Sequence, residues 1–205
     1  MRKKQNPISP NTKKITRTFI WLFLLFAIPL MIASLMVIKE KTLSTKKTNH
    51  GVLITPPLDI ASLQLSVAQQ KIWENRWLLL YVTPKSCDHI CEKTLYQIRQ
   101  IRTATGKDMD RIERGILTFS DRPADHHLTE LLNTAFLGTV HLIVPLKNFL
   151  TFSQKNLSSQ QIILQQGGIY IVDPLGNVML FYSSSSDPMG IFDDLILLLK
   201  FSHIG

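Results

Sequence analysis

At 205 residues with two cysteines, the chain holds one ordinary globular domain and an extension, and is too poor in cysteine for a disulfide-built scaffold. The formal net charge of +8 invites a nucleic-acid partner, but residues 1–47 carry +9 and residues 48–205 carry −1. The basic character belongs to the first quarter of the chain, so the domain itself offers no electrostatic footprint for nucleic acid.

Residues 1–18 read as a basic cytoplasmic N-terminus, holding Arg2, Lys3, Lys4, Lys13, Lys14 and Arg17. The next twenty, 19–38, "FIWLFLLFAIPLMIASLMVI", contain no charge, which is about the length of helix that crosses a hydrocarbon core. Pro29 and Ser34 are tolerated inside such a helix. The apolar run is too long for a signal peptide and lacks a small-residue cleavage site, so an uncleaved anchor is expected, with membrane lipid as a partner. Six basic residues ahead of the run against four behind it favour a cytoplasmic N-terminus. That orientation puts a single-pass protein in the inner membrane with its C-terminal domain on the periplasmic side.

Residues 39–70 are expected to be linker and the start of the domain, polar at first and turn-like at "TPP". The domain itself is placed at 71–205. Trp77 to Thr83 is apolar throughout and closed by Pro84, which predicts a buried central strand. From Cys91 the positions Leu95, Ile98 and Ile101 recur at helical spacing up to Gly106. "RGILTF" predicts a second strand. "DHHLTELLNTAF" predicts a helix capped by Asp125 and presenting Leu128, Leu131 and Leu132. "TVHLIVP" is a third strand, and "LKNFLTFSQ" a short helix or loop. "GGIYIVDPLGNVMLFY" places Asp-Pro-Leu-Gly between two apolar runs, a hairpin signature. Asp187 and Pro188 then supply the cap and first residue of a final helix, apolar on nearly every side beyond Asp194 and therefore expected against the sheet. This α/β order, with crossover helices and a terminal antiparallel pair, fits a thioredoxin-like fold.

Both cysteines lie in "SCDHIC", where the first strand meets its helix. If the segment is helical, Cys87 and Cys91 share a face with Leu95 and Ile98, and their α-carbons stand about 6 Å apart, near the upper part of the disulfide range. The unpaired N–H groups and dipole of a helix start favour thiolate, the form that attacks disulfides and the form that binds a soft ion such as Cu(I). Two blander readings stand beside these: buried core cysteines, or a structural staple closing a five-residue loop.

The anchor, the pair "CDHIC" after an apolar strand, and the hairpin "IYIVDPLGNVML" together resemble the Sco/SenC family, membrane-anchored thioredoxin-like proteins that help assemble the copper site of cytochrome c oxidase. The resemblance spans roughly residues 71 to 205. It implies that Cys87 and Cys91 are copper ligands and that a protein of a respiratory oxidase is the client. The family's third ligand, a histidine, would fall in "LQQGGIYIVD", where this chain has Gln165, Gln166, Gly167 and Gly168. No proline precedes Ile169, the place where many thioredoxin-like oxidoreductases carry one.

Other histidines are weighed for that role. His89 points about 200° around a helix from Cys87 and could ligate only from a looped motif. His126 and His127 read as solvated first-turn residues, and His141 as a satisfied, half-buried strand residue. Met179 and Met189 are soft donors or core. "GKDMDRIER" reads as a solvated charged loop or a docking surface. No phosphate loop, nucleophile elbow or zinc-protease helix is present. The expected function is an oxidase assembly factor whose Cys87 and Cys91 bind Cu(I) or keep client thiols reduced. The alternatives are a membrane-tethered thiol–disulfide oxidoreductase, in which Cys87 attacks and Cys91 resolves, and a non-catalytic interaction scaffold.

Overall fold

The computed structural model describes residues 12–43, 49–83, 86–153 and 167–202, with side chains on the first helix described for residues 20–35. The chain divides into two compact units, Met1–Thr48 and Asn49–Gly205. The first contains α1, Thr12–Leu43, with Pro29 inside it. Its apolar side chains, Trp21, Phe23 and Leu25 among them, are exposed, and the Ser34 hydroxyl donates to the Leu30 carbonyl at 2.7 Å. Among the described residues no helix is long and apolar enough to cross a membrane. The spanning role expected of residues 19–38 thus rests on their composition alone.

The second unit is built on strands β1 (Val52–Asp59), β2 (Trp77–Val82), β3 (Ile112–Phe119), β4 (Thr139–Val144), β5 (Gly168–Val172) and β6 (Asn177–Ser183). They form one sheet in the order β1-β6-β5-β2-β3-β4. Strands β2, β3 and β4 are parallel, while β5 runs antiparallel beside β2 and β6 antiparallel beside β5, as the crossover pattern and hairpin predict. All six residues of β2 are buried because it is central and covered on both faces. One face buries Leu78, Leu80 and Val82 against α5 (Leu146–Ser153) through Phe149 and Phe152. The other buries Trp77, Leu79 and Tyr81 against α3 (His89–Ala104) and α6 (Pro188–Phe201). The hairpin turn is closed by the Gly176 N–H donating to the Asp173 carbonyl, and the Asp173 side chain accepts from the N–H groups of Leu175 and Asn177. Gly176 takes φ +91°, a conformation that glycine alone adopts cheaply.

The expectation for the residues before 71 is corrected. Residues 52–59 are not linker: β1 pairs antiparallel with β6, and the compact unit starts at Asn49 instead of 71. Pro56 and Pro57 disguise the strand. They fall where the register shifts between Leu53 and Leu58, on an edge strand, where a missing N–H is tolerated. The residues up to 70 also contribute a 3-10 turn, Ile60–Leu63, and α2, Val67–Lys71, with a Ser66/Gln69 capping box. Ile60 and Leu63 are buried in the core. The final helix, α6, packs against the sheet as expected. Ile191, Leu195 and Leu199 are buried, while Leu197 and Phe201 face outward, so the helix buries one stripe only.

A buried carboxylate closes the structure. Asp194 of α6, 4 % exposed, accepts hydrogen bonds from the His50 N–H (2.8 Å), the Gly51 N–H (2.9 Å) and the Tyr182 hydroxyl (2.7 Å). It thereby joins the start of the domain to its last strand and helix. The charged segment 106–114 also ties distant parts together, since Arg111 bonds Asp108 and donates to the carbonyls of Leu199 and Ser202 at the end of α6.

Candidate functional site: a disulfide at the start of a helix

Strand β2 ends just before Thr83, and the next two residues, Pro84 and Lys85, lie outside the described residues. The chain reappears at Ser86, passes Cys87, and turns into α3 at Asp88. Asp88 is the N-cap: its backbone is extended and its carboxylate accepts from the N–H groups of Ile90 (3.0 Å) and Cys91 (3.1 Å). Cys87 therefore precedes the helix and Cys91 is its third residue. The expected arrangement, with both inside a regular helix, is corrected accordingly. With the extended cap residue between them, the α-carbons stand 5.0 Å apart, and the two sulfurs are joined in a disulfide.

Both side chains lie in the same cluster as Leu95 and Ile98, the shared face that the spacing predicts. Cys87 is 6 % exposed and Cys91 1 %. The oxidised pair is thus buried, in contrast to the expected open helix end, and Cys87 is the less buried residue of the two.

A second carboxylate supports this turn from a distance in sequence. Asp125 caps α4 (His126–Asn133) as expected, one oxygen accepting from the Leu128 N–H at 3.0 Å. Its other oxygen accepts from the Cys87 N–H at 2.6 Å, a contact between residues 38 apart for which the sequence holds no signal. Partial burial pulls the Asp125 carboxyl upward, but the N–H bonds from Leu128 and Cys87, with the charge of His127, outweigh it and hold the group below the usual carboxylate range. Beside it, His127 bonds Glu92 of α3 at 2.7 Å, and that bond raises the histidine pKa. The starts of α3 and α4 are thereby linked twice.

The remaining candidates do not converge on the sulfurs. His89 is the exposed first residue of α3, and His126 and His127 are exposed. His141 is half-buried on β4 and bonded to the Thr118 hydroxyl at 2.8 Å, its pKa lowered by burial. Met179 packs against the core and Met189 is exposed. Gln165 and Gln166 lie outside the described residues, while Gly167 and Gly168 lead directly into β5. Among the described residues, no group of three or more His, Cys, Asp and Glu side chains is placed to hold a metal. A cleft of about 820 Å³ lies at the C-terminal ends of β2, β3 and β4, lined by Ser86 and Asp125, which neighbour Cys87, but by neither cysteine.

Among solved structures, the chain is similar to yeast Sco1 at 16 % identity, over 65 % of this chain and 85 % of that one, with a TM-score of 0.50. It is also similar to copper-bound ScoI of Arabidopsis thaliana (12 % identity, 65 % and 89 % covered, TM-score 0.48). A putative thioredoxin from Neisseria meningitidis matches at 11 % identity over 77 % and 94 %, with a TM-score of 0.43. Such identities speak for the fold alone, the thioredoxin-like fold of the Sco proteins. No curated protein matches the sequence. The family model described as "Transmembrane-like, thioredoxin-like, C-terminal domain" matches residues 77–202, from the first residue of β2 to the residue that ends α6. With more than half its length in that match, and with a cysteine pair at the strand-to-helix junction of the fold, the chain belongs to this family of transmembrane-like, thioredoxin-like domains.

Proposed function

We propose that the protein is a membrane-anchored thiol–disulfide carrier that keeps the thiols of a respiratory-oxidase assembly client reduced. The observation that carries this reading is the Cys87–Cys91 disulfide at the capped first turn of α3. In the reduced protein, the Cys87 thiolate attacks one sulfur of a client disulfide, and the client's other sulfur leaves as thiolate and takes up a proton. Cys91, deprotonated in turn, attacks the Cys87 sulfur, restores the observed disulfide and releases the second client thiol. The pair gives up two electrons and two protons, and the client gains both; a dithiol donor resets the pair. Cys87 takes the attacking role because it precedes the helix and is the less buried residue, and Cys91 the resolving role because it lies within the first turn and is more deeply buried. Residues 19–38 anchor the chain in the inner membrane, and the basic excess ahead of them keeps the N-terminus cytoplasmic and the domain periplasmic.

The same two sulfurs support a second reading, capture of Cu(I) as cargo. They are adjacent and soft, but they are free to bind only after reduction, and the described residues add no third donor beside them. Among the described residues the donor set is the two sulfurs, which fits a two-sulfur Cu(I) site. Both readings are tested on the full chain in detergent micelles. Cys91→Ser should accumulate a mixed disulfide through Cys87 with a disulfide-bonded client peptide, and no such adduct would refute the carrier. Cu(I) uptake no greater in the reduced protein than in the Cys87→Ser, Cys91→Ser variant would refute the copper reading.

A further inference from the structure

At the end of the sheet away from the disulfide, three arginines gather around the starts of β3 and β4. Arg99 and Arg102 stand one turn apart in the second half of α3. Arg114, third in β3, shares a sheet face with Ile112 and Ile116, which pack in the same cluster as α3. All three are held by main-chain oxygens. Arg99 Nη1 donates to the Ala135 carbonyl (2.9 Å), Arg114 Nη2 to the Leu137 carbonyl (2.7 Å) and Arg102 Nε to the Ile112 carbonyl (2.6 Å). Arg99 also lies over the rings of Tyr96 and Phe136, at 5.2 and 5.6 Å, which fixes its place.

Negative charge is what the group lacks. Arg114 is only 9 % exposed, yet among the described residues it has no ion-pair partner and its buried Nε–H has no acceptor. Glu113 alternates to the other face of β3 and is paired with Arg76. Asp110 is 94 % exposed and stands 4.0 Å from Arg102. Burial, and then the charge of Arg102, pull the Arg114 pKa below its ordinary value; Glu113 pulls the other way and Arg99 adds to the depression. A buried cation among like charges is costly until an anion completes it. Beside it, Gly138 takes φ +78° and leaves empty a position where a Cβ would stand 3.4 Å from Nη2.

We propose that Arg99, Arg102 and Arg114 form a binding site for a phosphate group, carried by a soluble ligand. A guanidinium fork matches phosphate oxygens in pairs, and a tetrahedral phosphate can engage forks arriving from two elements, whereas a planar carboxylate is satisfied by one.

Isothermal titration of the full chain in micelles of an uncharged, phosphate-free detergent tests this with three probes: inorganic phosphate, glycerol 3-phosphate and acetate, at matched ionic strength. Both phosphates should bind and acetate should not. The tighter of the two identifies the source as free phosphate or as a monoester. Arg99→Gln and Arg114→Met should each weaken phosphate binding by roughly tenfold or more. Arg76→Gln, whose guanidinium pairs with Glu113 instead, should bind as the wild type does. Circular dichroism checks the fold of each variant, and Arg99→Gln, on a partly exposed helix position, keeps the test open if Arg114→Met does not fold. No binding of either phosphate by the wild type, acetate bound as tightly as phosphate, or unchanged phosphate affinity in the Arg99 variant would overturn the site.

Discussion

Replacing Asp125 with alanine should destabilise the domain through two separate losses. The first is the α4 cap, which costs about 0.5–2 kcal/mol. The second is a hydrogen bond from the Cys87 N–H to a charged acceptor, with a contribution of about 1.5–3 kcal/mol. Together they predict a loss of about 2–5 kcal/mol. Asp125→Asn has one acceptor oxygen where Asp125 uses two, so it keeps the cap but sets its NH2 against the Cys87 N–H, and it should lose about 1.5–3 kcal/mol. Urea denaturation of the full chain in micelles, followed by the fluorescence of the buried Trp73 and Trp77, measures both. The sign with pH also follows. Because the Asp125 pKa is depressed in the folded protein, its contribution is present above the ordinary carboxylate range and lost as pH falls through the folded value. The asparagine variant should show none of that loss. An alanine variant within about 0.5 kcal/mol of wild type, in the range of an ordinary surface change, would refute the argument that this carboxylate braces the reactive turn.

The other contacts give further expectations. Asp194→Ala leaves the Gly51 N–H and the Tyr182 hydroxyl buried without their acceptor and should cost about 2–6 kcal/mol in the same denaturation assay, against about 1 kcal/mol for Tyr182→Phe. His127, its pKa raised by Glu92, should contribute stability that is fully present below the ordinary histidine value and lost as pH rises through the folded one; His127→Gln should flatten the profile in that window. Reducing Cys87–Cys91 opens a loop of only five residues, and unfolding of the reduced chain should show a loss of no more than about 2 kcal/mol, small enough for the reduced state to remain folded and working.

Much of this arrangement is legible in the residues. Six consecutive apolar positions in β2 allow only a strand buried on both faces, and Asp-Pro-Leu-Gly between two apolar runs allows little but a hairpin. The caps at Asp125 and Asp187 are equally readable, since a cap acts on N–H groups two or three residues on. What escapes are contacts made across the fold. Strand β1 owes its pairing to β6, and its two prolines hide it from any reading of local propensity. Asp194 looks like an interruption of an apolar helix until Gly51 and Tyr182 arrive to use it. At the site, the position of the two cysteines is visible, but their burial is not, because it depends on elements far along the chain: Ile169, Ile191 and Leu195 complete the cluster around them.

The central claim is that Cys87 and Cys91 form a redox couple that opens and closes in the folded protein. The full chain in micelles, equilibrated across a series of reduced-to-oxidised glutathione ratios and trapped by alkylation, tests it directly by mass spectrometry. The account predicts a single two-electron transition, with both cysteines passing together from disulfide to dithiol while the circular dichroism stays unchanged. A disulfide that persists through the most reducing buffer, or that yields only when the domain unfolds, would contradict it and leave the pair a structural staple.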